Sequence, residues 1–362
     1  MLILGADRLL GRTMKVWRDW LAHPTHDAYW EAQSFQRALK DVSVPMLHVS
    51  GWYDDVLVGT TENYAITRDK PYQFLLVGPW GHRINQGRQI GAIDFGPDAV
   101  LDLDAVYERW FDRWLKDIKN GVEGMPAVRY FVMGANRWQT AAAWPLPGMT
   151  PTRYYLSSGG HANSRLGDGR LSAAAPGDEP ADHYRADPAD PFPFVTDDAF
   201  SQIGGPDDYA EVELRKDALV YTSEAFTAPT TMCGPMTVSL TAASSAKDTD
   251  WAAKVLAVRP DGFAWRLNDG IVRARFRKGR TREEFLQPGA AETYTIDAWS
   301  TCVELQPGWR VRLEIASHAF PKFDVNLQTG GPIGKEVRGV AADQTVYHDR
   351  GRVSWVELPI VK

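Results

Sequence analysis

Cysteine is almost missing from this chain. Cys233 and Cys302 are the only two among 362 residues, so no disulfide framework organises the fold. One bridge is open to them, but two buried free thiols are the expectation. Long apolar runs are missing too: none approaches the ~20 residues that a bilayer-spanning helix needs. The opening Met1-Leu2-Ile3-Leu4-Gly5-Ala6-Asp7 meets an acid too early for a signal peptide, so no membrane partner and a cytoplasmic location are expected. There is no basic excess. The net charge of −6 argues against nucleic acid as a partner. Internal repeats and low-complexity tracts are likewise absent. The last absence is chemical: no Gly-x-Ser-x-Gly occurs, so the sharp turn that presents a serine nucleophile is not found in these residues.

What is present is ordinary in bulk, with 44% hydrophobic and 24% charged residues, and long enough for roughly two domains. Residues 12–40 read as helical. Met14, Trp17 and Leu21 share a face, Pro24 ends that stretch, and Thr25 is a candidate N-cap for a second helix carrying Tyr29, Trp30, Phe35 and Leu39. A βαβ pattern follows, with strands at Val44–Ser50 and Gln73–Val77 around a helix at 56–68, which implies parallel pairing. Residues 104–118 predict the clearest helix, with one stripe of Val106, Trp110 and Trp114 beside another of Tyr107, Phe111, Leu115 and Ile118. Asn120-Gly121 is expected to stop it. A strand at Val128–Met133 precedes the Pro-rich boundary Trp144–Gly148. Beyond it the signals are all β, at Arg153–Leu156, Ala218–Tyr221, Met236–Leu240, Ala253–Val258, Ile271–Phe276 and Val311–Ile315, the pattern of a jelly-roll sandwich. Residues 176–209 predict a long ordered loop. Two or three parallel strands leave an unpaired apolar edge, which implies self-association into a homo-oligomer and an N-terminal part of the sheet outside these residues.

Two motifs carry the chemistry. Gly51-Trp52-Tyr53-Asp54 and Gly78-Pro79-Trp80-Gly81-His82 each close a short apolar run, and the acid precedes the base by 28 residues (82 − 54). An imidazole at one strand end and a carboxylate at its neighbour suit a base whose tautomer an acid fixes, in the nucleophile–acid–base order of an α/β-hydrolase. Taken singly, either residue is more often a satisfied surface hydrogen-bonder; the paired placement is what raises the reading. Ser34 and Ser43 lie upstream in a helix and a connector without the flanking glycines of an elbow, and Ser50, beside Gly51, sits on the acid's own strand. Rival features have bland readings. His23, His26 and Asp27 make a surface turn rather than a metal site, because Pro24 prevents helical alignment. Arg273, Arg275 and Arg277 alternate as on the solvated face of a strand. Asp248 and Asp250 suit a turn or cross-strand hydrogen bonds better than calcium, and Gly159-Gly160-His161 suits a hairpin turn.

These two motifs resemble the acid and base segments of the cocaine esterase and α-amino-acid ester hydrolase group, which is allied to the X-prolyl dipeptidyl peptidases. The resemblance extends to His23-Pro24-Thr25-His26-Asp27-Ala28-Tyr29-Trp30, Val128-Arg129-Tyr130-Phe131-Val132-Met133-Gly134, Ala186-Asp187-Pro188, Ser244–Asp250, Asp269-Gly270-Ile271-Val272-Arg273 and Phe320-Pro321-Lys322-Phe323-Asp324, and so covers the whole chain. It implies a partial α/β hydrolase followed by an all-β jelly roll: residues 1–40 the end of a helical cap, 41–149 the C-terminal part of the hydrolase domain, and 150–362 the sandwich. It implies acyl hydrolysis of a small ester, amide or peptide substrate without metal or organic cofactor, with Asp54 as the triad acid and His82 as the base. Val56 matches a position in the acyl pocket, with Trp52, Tyr53 and Trp80 as further pocket candidates. Asp55 stands where the group often has Gly, which makes the pocket rim more acidic. The nucleophile has no counterpart, so the chain by itself is expected to be inactive, as an N-terminally truncated hydrolase or half of a two-chain one. The alternative is a non-catalytic jelly-roll binding module.

Overall fold

The computed structural model describes residue 7, residues 10–196 and residues 204–361. Three short helices, α1 (Lys15–Ala22), α2 (Ala28–Gln33) and α3 (Gln36–Leu39), open the described chain. The cap of α2 is Asp27, not Thr25: the Asp27 carboxylate accepts from the Tyr29 N–H at 2.9 Å, and an ionised cap adds a favourable interaction with the helix dipole.

Strand β1 (Met46–Tyr53), helix α4 (Leu57–Thr67) and strand β2 (Gln73–Gly81) form a βαβ unit. The strands run parallel, with Met46 opposite Gln73 and Gly51 opposite Gly78. Two short strands, β3 (Gln89–Ile90) and β4 (Ile93–Asp94), form a hairpin in the loop that follows. Helix α5 (Leu103–Lys116) begins at Asp102, whose side chain accepts from the Ala105 N–H, and ends where Asp117 turns left-handed, earlier than Asn120-Gly121. Its Trp110 packs edge-on against Phe74 of β2, whereas Phe111, Leu115 and Ile118 stay exposed. Strand β5 (Val128–Val132) joins β2 in parallel and β6 (Arg137–Ala141) closes that side antiparallel, giving the order β1-β2-β5-β6. Among the described residues, β1 pairs on one side only.

Two glycines set how tightly β1 and β2 meet. A Cβ on Gly51 would lie 2.1 Å from the Trp80 carbonyl oxygen, and one on Gly78 would lie 2.3 Å from the Trp80 ring. The indole folds back over its own strand, and only glycine leaves room for it.

The sandwich strands are β7 (Met149–Ser157), β8 (Arg170–Ser172), β9 (Asp182–Ala186), β10 (Ala218–Ser223), β11 (Thr230–Ser244), β12 (Asp250–Val258), β13 (Ala264–Arg273), β14 (Glu292–Leu305), β15 (Arg310–Ala316), β16 (Ala342–Tyr347) and β17 (Trp355–Val361). They run β13-β12-β15-β10-β8-β7-β17-β11-β16-β9, with β14 paired to β11. Their inward faces build one core in which Trp251, Val255, Leu313 and Tyr294 are buried. The α/β sheet is stitched to this core directly: the Met133 N–H donates to the Cys302 carbonyl, and the Glu304 N–H donates to the Met133 carbonyl. The architecture is the C-terminal part of an α/β hydrolase followed by a β-sandwich.

Three expectations change. Cys233 and Cys302 face each other across β11 and β14 and are joined in a disulfide. Asp182–Ala186, inside the expected loop of 176–209, is a strand paired with β16; residues 197–203 of that stretch lie outside the described residues. The arginines do not form a solvated face. Strand β13 ends at Arg273, a 3₁₀ turn follows, and all three side chains fold inward onto carboxylates: Arg273 on Asp250, Arg275 on Asp248, Arg277 on Glu292. Burial of a guanidinium demands such a partner, and those partners are distant in sequence.

The disulfide closes a 69-residue separation. Its reduction should lower unfolding free energy by about 2–4 kcal/mol, read from denaturant titrations with and without reductant; coincident curves would show that the thiols are free in solution. Gly51→Ala should cost about 3 kcal/mol or more, because the obstacle is backbone rather than a side chain that can swing away. Thermal unfolding checks it, with the open position Gly59→Ala, where an added Cβ meets nothing within 4 Å, as the control that stays near wild type.

Candidate active site

Asp54 and His82 occupy the first positions beyond the C-terminal ends of β1 and β2. The open ends of adjacent parallel strands are where α/β sheets place their chemistry. The His82 Nδ1 lies 2.9 Å from the Asp54 Oδ1. Asp54 is fully buried, and a buried carboxylate needs donors on both oxygens. It has them. Oδ2 accepts from the Ser50 hydroxyl at 2.8 Å, and Oδ1 also accepts from the Val56 N–H at 3.2 Å.

His82 is different, with its side chain 64% exposed. Its Nδ1 proton points at the acid, which leaves Nε2 as the free acceptor on an accessible ring. The hydrogen bond to Asp54, and after it the negative charge of Asp55, hold the imidazole above its ordinary value of 6.5. Asp55 comes as close as Asp54 does: its Oδ1 lies 2.8 Å from the same Nδ1. Yet that oxygen makes no hydrogen bond, because Nδ1 carries a single in-plane proton and Asp54 receives it. Burial first, and then the neighbouring Asp54 carboxylate, raise the Asp55 carboxyl above the usual carboxylate range.

The aromatic residues of the two motifs sit inward. Trp52, Tyr53 and Trp80 are buried, with their polar atoms bonded inside the protein. The Trp52 indole donates to the Phe131 carbonyl at 2.8 Å, and the Trp80 indole donates to the Ala99 carbonyl at 2.7 Å. The Tyr53 hydroxyl accepts from the Trp265 indole at 2.6 Å and donates to the Arg266 carbonyl at 3.1 Å. The four proposed pocket residues are therefore divided: three are core anchors, and Val56, half exposed beside Asp54, faces solvent. Sequence reasoning weighs Ser50 only as a nucleophile and Asp55 only as part of an acidic pocket rim; in the structure Ser50 supports Asp54 and Asp55 reaches the imidazole.

No upstream serine is placed to attack. Ser50 is buried and spends its proton on Asp54, Ser34 caps the end of α2, and Ser43 lies on the exposed connector before β1. Asp54, Asp55 and His82 also bring three ligand-type atoms within 4.8 Å of one another. The Asp54 oxygens of that group already face the Ser50 hydroxyl, the Val56 N–H and the His82 ring. Elsewhere, His23 and Asp27 bond to each other at 2.6 Å as a turn-closing pair. Asp248 and Asp250 share the Asn326 amide and their arginines. Gly159 and His161 donate their N–H groups to Asp168 in a loop. A cavity of about 610 Å³ opens in the sandwich beside Arg273, Asn326 and Ile333, and one of about 890 Å³ lies between His23, Trp30 and Arg280. Asp54 and His82 line neither of these two cavities. Among the described residues, no helix is long and apolar enough to cross a membrane.

The chain is similar to known proteins along almost its whole length. The family described as "X-Pro dipeptidyl-peptidase C-terminal non-catalytic domain" matches residues 120–357, and "X-Pro dipeptidyl-peptidase (S15 family)" matches residues 6–83. A cocaine esterase from Rhodococcus sp. (strain MB1 Bresler) is 34% identical over 99% of this chain and 64% of its own length. Among solved structures, an aminopeptidase from the marine sediment archaeon Thaumarchaeota archaeon superposes with a TM-score of 0.87 at 25% identity, covering 99% of this chain and 62% of that one. An α-amino acid ester hydrolase follows with a TM-score of 0.85 at 25% identity, covering 98% and 62%. The chain thus spans under two-thirds of these relatives. With its family model matched over residues 120–357, more than half of its length, the chain belongs to the family of the X-Pro dipeptidyl-peptidase C-terminal domain and is a homologue of cocaine esterase.

Proposed function

We propose that this chain supplies the acid and the base of acyl hydrolysis, acting on small esters or amides once a serine from outside these 362 residues is placed over His82. The observation that carries the reading is the 2.9 Å contact between a saturated, buried carboxylate and an exposed imidazole at neighbouring strand ends. In this reading His82 takes the serine proton at Nε2 as the hydroxyl attacks the carbonyl carbon, and later returns it to the leaving group. Asp54 holds the Nδ1–H tautomer and stabilises the imidazolium that forms. Val56, exposed beside them, contacts the acyl group. The step requires neither metal nor organic cofactor. Residues 41–149 carry this machinery, residues 1–40 contribute the end of a cap, and residues 150–362 form the supporting sandwich. Among the described residues β1 has one edge unpaired, and in this reading the serine-bearing segment completes the sheet on that side, whether from the same polypeptide or another.

The purified 362-residue chain should take no label from a fluorophosphonate probe; labelling of any serine would overturn the claim that its nucleophile is absent. Supplied with the N-terminal portion of the Rhodococcus relative, as a fusion or in trans, it should become labelled and hydrolyse an activated ester. Asp54→Asn should then lower kcat roughly 10³–10⁴-fold, the scale seen for loss of a triad acid elsewhere. A second expectation concerns pH. A base works only when neutral, and the His82 value is raised. The rate should therefore fall on acidification, with a half-maximum above pH 6.5; a midpoint at or below that value in the kcat/KM profile would contradict the geometry.

A further inference from the structure

Asp55 is not accounted for by that mechanism. It follows the acid directly, at the start of the turn between β1 and α4. Neighbouring side chains in a turn ordinarily diverge, whereas these two converge on one nitrogen, at 2.9 Å and 2.8 Å. A solvated turn residue is the bland alternative. Against it, the Asp55 Oδ1 is sealed from solvent and makes no hydrogen bond of its own. A buried carboxylate oxygen without a donor is costly, so something must offset it. The group it faces is the imidazole.

We propose that Asp55 is a second positioning carboxylate for His82, so that the imidazolium formed during catalysis has two acids at its Nδ1 rather than one. The inference rests on the reading of His82 as the general base. Asp54 takes the hydrogen bond and fixes the ring; Asp55 contributes charge at the same nitrogen. An added proton on Nε2 makes the ring cationic, and the attraction to Asp55 grows as it does, which favours the protonated state reached during serine attack. The arrangement has an opposite side. It also favours the protonated ring at rest, so the base is freed only at higher pH. The directions seen for His82 and Asp55 agree with two acids and one imidazole competing for protons. Among the described residues, the charged groups acting on His82 are Asp54 and Asp55, both from the turn after β1, and Arg83 is its chain neighbour.

The test uses the chain as it is, by NMR titration of the His82 ring, assigned through His82→Gln. Asp55→Asn should weaken proton binding at His82 by about three- to tenfold, Asp55→Glu should recover most of it, and circular dichroism should not change. Should the asparagine variant fold poorly, Asp55→Gly carries the same expectation. Identical titrations in wild type and Asp55→Asn overturn the proposal, as does a glutamate variant that behaves like asparagine. The serine-hydrolase reading fails separately, by absent labelling of the completed protein. In that completed protein, Asp55→Asn should move the acidic limb of kcat/KM to lower pH; an unmoved limb would reduce Asp55 to a structural residue.

Discussion

The candidate site depends on one phenol. The Tyr53 hydroxyl lies between the Trp265 indole N–H and the Arg266 carbonyl, and so ties the last residue of a parallel strand to β13 of the sandwich. A buried hydroxyl with both a donor and an acceptor satisfied fixes position far better than apolar contact, which has no direction. Trp52, one residue earlier, is pinned to Phe131, and the Asn268 amide bridges the Trp52 and Ser300 carbonyls. Asp54 follows at once in the chain. Its place is set by the β domain as much as by its own sheet.

A domain of a family described as non-catalytic thus has a direct hold on the strand that leads into Asp54. The stitch through Met133 and the anchors at Tyr53 and Trp52 make sandwich and sheet share a boundary of hydrogen bonds, which tolerates little sliding. The sandwich holds its own fold with many buried ion pairs, such as Lys254 with Glu314 and Arg266 with Asp269. Such pairs are poor sources of stability, but breaking one is costly. Substitutions deep in the β domain therefore have a route to the strand ends.

What could be read from the sequence was local. The βαβ unit and the two strand-end motifs announce themselves through apolar runs punctuated by Gly and Pro, and the structure places Asp54 and His82 side by side. Distant pairing was not legible. The bridge of Cys233 to Cys302 needs the β11–β14 register, and nothing near either cysteine encodes it. The alternation at Arg273, Arg275 and Arg277 suggested solvent because periodicity records which residues share a face, not what covers that face. Asp248, Asp250 and Glu292 cover it. The resemblance offers the motif tryptophans and tyrosine as pocket candidates, while their burial depends on partners such as Phe131, Ala99 and the Trp265 indole, which lie far along the chain.

The unpaired edge of β1 has a consequence of its own. What it presents is peptide groups, which are alike in every polypeptide, so recognition there is by phase rather than by residue type. A strand that adds one position out of step turns all its side chains to the opposite face. Side chains meant for the core would then face solvent while every main-chain hydrogen bond was still formed. The edge therefore behaves as a vernier. Pairing along the edge and burial of the added strand's apolar face are separate events, and only one alignment achieves both.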